Sequence, residues 1–208
     1  VPDENRLKIE LCEYAALLWA RGLIGGIEGN LSVRISEDLV LCTPSGLPKG
    51  HLKPDQIVLI DMHGTKKGST GARLGFRESE AVKPNYRASS EIKMHLGIYQ
   101  ARPDVQAVVH AHPPFATSYA YAEVPLDLSQ SPEGSVIVGE VALLPFATPG
   151  TDEVPNSFLP FLPNHNAFLL TRHGATTVGG SLEEAFNRME TLERLAQVTY
   201  QSRILRQS

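Results

Sequence analysis

Two histidines two residues apart, His110 and His112, close the apolar run VQAVV at 105–109. That run reads as a buried strand, and side chains at i and i+2 of a strand leave the same face. Pro113 and Pro114 follow and stop the ladder. Two imidazoles converging at a strand end suit a metal ion; a pair of surface or turn histidines is the plainer alternative. His173 repeats the arrangement. Ala167–Thr171 reads as a second buried strand, and Arg172-His173-Gly174 ends it. Three imidazoles meeting would make a catalytic-type site, with one position left for water or substrate. Glu91 adds a carboxylate in the expected first turn of a helix that Ser89 or Ser90 can cap, where the helix dipole stabilises it. A general base is needed beside any ion that polarises a carbonyl, because the adjacent C–H becomes acidic.

Three turns carry small polar residues: Gly29-Asn30, Ser45-Gly46 and Ser89-Ser90. Each alone reads as an ordinary turn or cap, and several would have to converge to hold a phosphate. There is no Walker loop and no GxGxxG before a helix. His51, His63, His95 and His165 read as surface or packing residues. Lys49 and Arg172 read as solvated, with an anion as the alternative. Arg73, Arg77 and Arg87 read as exposed loop cations that could steer a phosphate. Tyr119 and Tyr121 are expected to pack on the sheet.

The elements that must position these groups follow from periodicity. Asp3–Ala20 is an amphipathic helix, and Gly25–Asn30 a glycine-rich turn. Leu31–Ile35 and Leu39–Thr43 form a hairpin, and Ile57–Asp61 a third strand. Lys66–Arg87 lacks a period and reads as a long lid or binding loop. A helix runs to about Gln100, and Pro114–Tyr121 forms another after the histidine strand. Val136–Val138 and Leu143–Phe146 read as short strands. Asp152–Leu162 could be a short helix, although Pro155 and Pro160 argue against a regular one. Thr176–Val178 is a last short strand. Ser181 with Glu184 is a capping box that opens a long helix to about Leu205.

With 208 residues, the chain reads as a single α/β domain, 1–208, with helices at both ends. A net charge of −4 with no basic block gives no sign of a nucleic-acid partner. No stretch approaches the roughly 18 apolar residues of a membrane span, and the N-terminus is too polar for a signal peptide. Cys12 and Cys42 sit in apolar patterns and read as reduced core residues. The cytoplasm is the expected compartment.

The segments GNLSVR from Gly29, TPSG from Thr43, SSE from Ser89, VVHAHP from Val108, RHG from Arg172 and GGSLEEAFNRMETLERLA from Gly179 occur in the order seen in one family. In these the chain resembles the class II aldolase/adducin family, and looks closest to its fuculose-1-phosphate aldolase-like members. The resemblance implies a three-layer α/β/α sandwich around a largely antiparallel sheet. It implies that His110, His112 and His173 bind a divalent metal, usually zinc, with Mn2+ or Co2+ as alternatives. It makes Glu91 the acid/base carboxylate, able also to ligate the metal when substrate is absent. Gly29, Asn30, Ser45, Gly46, Ser89 and Ser90 would bind the phosphate of a small sugar phosphate. The implied assembly is a homotetramer with intersubunit sites. The implied reaction is reversible cleavage of a ketose 1-phosphate to dihydroxyacetone phosphate and an aldehyde.

The chain departs from the aldolase pattern where aldehyde is handled. Ser129 stands where the aldolases have a tyrosine, supplied across the subunit interface, that helps the leaving oxygen, and their C-terminal tyrosine has no counterpart before Ser208. Tyr119 or Tyr121 brought close by a neighbouring subunit is the alternative to their packing on the sheet. The Lys66–Arg87 segment is also longer than the aldolase turn. A dehydratase, epimerase or decarboxylase sharing the enolate-forming site is the alternative enzyme. A non-catalytic adducin-like scaffold is the alternative outside enzymology, although it need not keep the histidines and Glu91.

Overall fold

The computed structural model describes residues 3–68 and 85–207. The expected loop Lys66–Arg87, with Arg73 and Arg77, therefore falls largely outside the described residues. Twelve helices and strands carry the fold among the described residues: α1 (Glu4–Ala20), β1 (Asn30–Arg34), β2 (Leu39–Cys42), β3 (Val58–Asp61), α2 (Ile92–Ala101), β4 (Ala107–Ala111), α3 (Pro114–Ala122), β5 (Val141–Leu144), α4 (Glu153–Phe158), β6 (Ala167–Leu170), β7 (Gly174–Gly179) and α5 (Leu182–Leu205).

The strands form one seven-stranded sheet in the order β3-β2-β1-β4-β7-β6-β5. Only the β5–β6 pair is parallel; the other neighbours are antiparallel. Strand alternation divides the core into two. Leu31, Val33, Ala107, Val109, Leu169 and Ala175 pack with α1, α3 and α5 on one face. Val108, Phe168, Leu170 and Val178 pack with α2 and α4 on the other. The result is the expected three-layer α/β/α sandwich around a mostly antiparallel sheet.

β4 is the central strand, and all five of its residues are buried. His110 shares the face of Val108 and so points under α2. Phe168 anchors that layer on β6: it is fully buried, with its ring centroid 4.9 Å from that of Phe158 on α4. Phe168→Ala should cost about 3–5 kcal/mol, because the sheet and α4 cannot collapse into the space left. A denaturant midpoint close to the parent's would contradict that packing.

Local chemistry explains the helix ends. Asp3 Oδ1 accepts from Asn5 N at the start of α1, and Ser181 Oγ accepts from Glu184 N at the start of α5. Two expectations about the elements need correction, and a third, the short helix after Asp152, is met. Val136–Val138 is not a strand: residues 134–138 form one turn of π-helix, closed by Gly139 N donating to Gly134 O at 2.9 Å. The β-branched run suggested a strand, but the alternating burial is missing, with Val136 85% exposed and only Val138 of the three buried. α4 does form despite Pro155, which lies in the first turn, where a missing N–H costs nothing. Finally, α2 starts at Ile92, so Glu91 is its N-cap residue rather than part of its first turn. Among the described residues, no helix is long and apolar enough to cross a membrane.

Candidate metal centre

β4 delivers His110 from within the strand and His112 just beyond its end. The β6–β7 turn delivers His173 from the adjacent hairpin, where Leu170 pairs with Gly174. Arg172 turns this corner with a left-handed φ of 58°. Ring centroids lie 5.1 Å apart for His110–His112, 4.8 Å for His110–His173 and 5.1 Å for His112–His173. One ligand nitrogen from each ring lies within 4.8 Å of the other two. Gly174 makes the approach possible: a Cβ there would sit 2.5 Å from His112 Cδ2 and 2.7 Å from Ala111 O.

The second nitrogens show which atoms face inward. His112 Nδ1 is 3.1 Å from Glu28 Oε2, an acceptor, so that nitrogen carries the proton. His110 Nδ1 is 3.0 Å from Thr176 Oγ1, whose own hydroxyl is directed at Met94 Sδ. That hydroxyl leaves its oxygen free to accept from His110. Both Nε2 atoms then present lone pairs, 3.2 Å apart. Two facing lone pairs repel unless a cation lies between them. Nitrogen ligands at about 2.0–2.1 Å on a tetrahedral ion would be separated by roughly 3.4 Å. The donor set therefore fits a divalent metal, and the three histidines can coordinate one.

Glu28 and Thr176 were not found from the sequence. An acid inside the glycine-rich turn GGIEGN was the available signal for Glu28; Thr176 gave none. Outer partners of this kind orient a ligand imidazole and raise its basicity. Glu28→Ala should therefore weaken metal affinity by about 10–100-fold, with fold and stoichiometry retained. Competition against a chromophoric chelator measures it, and an unchanged affinity would remove Glu28 from the site.

Glu91 lies over this cluster. Its Oε1 is 3.0 Å from His173 Nε2, its Oε2 is 3.4 Å from His110 Nε2, and Asn30 Nδ2 donates to Oε2 at 2.7 Å. Burial pushes the carboxyl upward, but the neighbouring imidazoles and the Asn30 amide outweigh it and hold Glu91 below the usual carboxylate range. Burial likewise pulls His110 down to about 3, which keeps it a neutral ligand at physiological pH.

The three polar turns converge on the same end of the sheet. Asn30 pairs with His110 across β1–β4. Leu31 N donates to Thr43 Oγ1, and Ser45 N donates to Arg87 O beside the bridge between Pro44 and Ala88. Ser89 Oγ accepts from Glu91 N. Gly29 has a φ of +71°, and a Cβ there would lie 2.5 Å from Ile24 Cγ2. Ser45, Gly46 and Ser90 are exposed. Lys49, expected to be solvated, is 2% exposed. Its Nζ donates to Ile27 O at 3.0 Å and Leu47 O at 2.8 Å, tying the first turn to the second. Arg172 is instead paired with Glu123 in solvent.

The model of the class II aldolase and adducin N-terminal domain matches residues 9–200. This chain belongs to that family. It is 31% identical over 202 residues to the 3-oxo-tetronate 4-phosphate decarboxylase of Escherichia coli K12, covering 95% of this chain and 87% of that protein. It is 30% identical over 192 residues to the L-fuculose phosphate aldolase of a Methanococcus maripaludis strain, covering 92% and 94%. Among solved structures in the family, YgbL from Escherichia coli, described as aldolase, epimerase or decarboxylase without a choice among them, superposes with a TM-score of 0.83 at 27% identity, over 95% of this chain and 89% of that one. The L-fuculose-1-phosphate aldolase of Thermus thermophilus superposes at 0.76 and 30% identity, over 98% and 97%.

Proposed function

We propose that this family member is a zinc-dependent lyase that decarboxylates a small 3-oxo sugar acid phosphate. The observation that carries the reading is Glu91 held against two of three imidazoles that can share one cation. Such an ion, when bound, supplies a Lewis acid for the substrate's oxo group. In a 3-oxo acid the C1–C2 bond breaks and carbon dioxide departs. The electron pair left at C2 spreads onto the C3 oxygen. Glu91, ionised at rest, takes a proton from solvent and delivers it to C2, so a four-carbon acid phosphate becomes dihydroxyacetone phosphate. Gly29, Asn30, Ser45, Gly46, Ser89 and Ser90 hold the phosphate and fix the carbon skeleton.

Aldol cleavage of a ketose 1-phosphate is the second reading, supported by the similarity to the fuculose phosphate aldolases. The two differ in the leaving group. Aldol cleavage must deprotonate a hydroxyl as the aldehyde leaves, whereas carbon dioxide leaves without that step. Among the described residues, no phenol bonds to Glu91 or the three histidines. Tyr99 OH is hydrogen-bonded to Ser32, Tyr119 OH is buried without a partner, and Tyr121 is 60% exposed. Ser129, at the aldolase tyrosine's place, lies in the loop that packs near Gly139 and His165. Because the aldolases' tyrosine would reach the site from a neighbouring subunit, it is the serine at position 129 that supports decarboxylation.

Incubating zinc-loaded protein with 3-oxo-tetronate 4-phosphate should release carbon dioxide and triose phosphate together. Triose phosphate from ketose 1-phosphates, with no carbon dioxide from the oxo acid, would overturn the decarboxylase reading in favour of the aldolase. On the same reading the enzyme is a cytoplasmic homotetramer with sites between subunits. The exposed apolar side chains of Val136, Phe146 and Leu205 support an assembly that covers them.

A further inference from the structure

Four consecutive hydrogen bonds run from the interior of the α2 layer to Glu91. Tyr99 OH is 2.8 Å from Ser32 Oγ, which is 2.7 Å from His95 Nδ1. His95 Nε2 is 2.5 Å from Asn30 Oδ1, and Asn30 Nδ2 is 2.7 Å from Glu91 Oε2. Tyr99, Ser32, His95 and Asn30 are all buried.

The direction of every proton follows from the carboxylate. An ionised Glu91 only accepts, so the nitrogen of the Asn30 amide must face it. The amide oxygen then faces His95 and also only accepts, which places the His95 proton on Nε2. A neutral ring leaves Nδ1 as an acceptor, so Ser32 donates to it. The Ser32 oxygen in turn accepts from Tyr99. Burial, which pulls His95 down to about 4, agrees with a ring that stays neutral.

We propose that His95 is a positioning residue, acting through Asn30 to set the orientation of the Glu91 carboxylate. Asn30 Nδ2 holds the carboxylate, and the His95 N–H holds the other end of the same amide, which is thereby clamped between two partners. Without that N–H, Asn30 keeps only its bond to Glu91, and its buried oxygen is left without a donor. The amide then shifts and carries the carboxylate with it. A packed apolar residue could fill the same space under α2 but could not fix the amide. This role holds for either reaction, since both need the same carboxylate.

Three measurements test it. In metal-free protein labelled with 15N-histidine, long-range 1H–15N spectra at neutral pH should show His95 as the Nε2–H tautomer; the Nδ1–H form or an imidazolium would overturn the proposal. His95→Phe should keep full zinc stoichiometry and KM while kcat falls on the order of 10²-fold, as a misplaced group near the chemistry does. His95→Gln, which can still donate from its Nε2, should recover most of that loss. Parent-like kcat in His95→Phe, equal impairment in both variants, or loss of zinc with loss of turnover would each overturn it. The tautomer readout needs no substrate, so a parent protein inactive on the oxo acid would defeat the decarboxylase reading and leave this one standing or falling on the spectrum.

Discussion

His173→Ala should reduce bound zinc to less than about one-tenth of the parent's after dialysis and lower kcat/KM on the order of 10³-fold or more. The two remaining imidazoles, His110 and His112, come from a single strand end and cannot enclose an ion alone. A lost Lewis acid is worth several kcal/mol of transition-state charge stabilisation, and about 4 kcal/mol already corresponds to a thousandfold in rate. A substrate-free measurement accompanies this. Zinc at a hundred times its Kd stabilises a folded protein by about 2.7 kcal/mol through mass action. The parent should therefore melt higher with zinc than with chelator, while His173→Ala melts at one temperature in both. His165→Ala is the control. That ring is bonded to the Phe161 carbonyl, away from the centre, and its removal should leave zinc binding intact. Stoichiometric, tight zinc in the His173 variant would mean that the cluster is packing and not a metal site.

The three histidines could be read in the sequence because strand geometry is strict. His110 and His112 sit two apart at the end of an apolar run, and His173 ends a second run before a glycine. What periodicity could not supply was the neighbour relation between β4 and β7, 66 residues apart at His110 and Thr176. The residues behind the ligands were hidden for the same reason. Thr176 looks like any β-branched strand residue, and His95 looks like a polar interruption of an amphipathic helix. Their roles depend on which strand lies across from them. Lys49 shows the opposite failure. A lysine in a Pro-Gly turn reads as solvated, yet two backbone carbonyls from different turns converge on it. The π-helical turn at 134–138 was missed because β-branched composition signals strand even where no partner strand is available. The hairpin β1–β2 and the cap of α5 were legible because they rest on contacts between residues close in sequence.

Glu91→Gln should separate proton transfer from metal binding. The substitution preserves side-chain length and leaves the three imidazoles in place, so zinc content should match the parent. Glutamine cannot exchange a proton at carbon, and loss of such a positioned group costs about 10²–10⁴-fold in rate. Glu91→Asp keeps the carboxylate but withdraws it by one methylene from His173 and Asn30, and should fall between the two. The most direct readout is independent of how the carbon–carbon bond is cleaved. Decarboxylation and aldol cleavage both end with a proton delivered to the carbon beside the oxo group. By microscopic reversibility the same carboxylate must remove that proton from dihydroxyacetone phosphate. The parent should therefore exchange one of the two hydroxymethyl hydrogens with D2O, visible by 1H NMR, without any second substrate. Because Glu91 is held ionised, it is ready to accept that proton at neutral pH. Glu91→Gln should abolish the exchange while still holding zinc, whereas His173→Ala should abolish it by losing the ion. Exchange at the parent rate in the glutamine variant would show that another group moves the proton, and Glu91 would then be left as a neighbour of the metal alone.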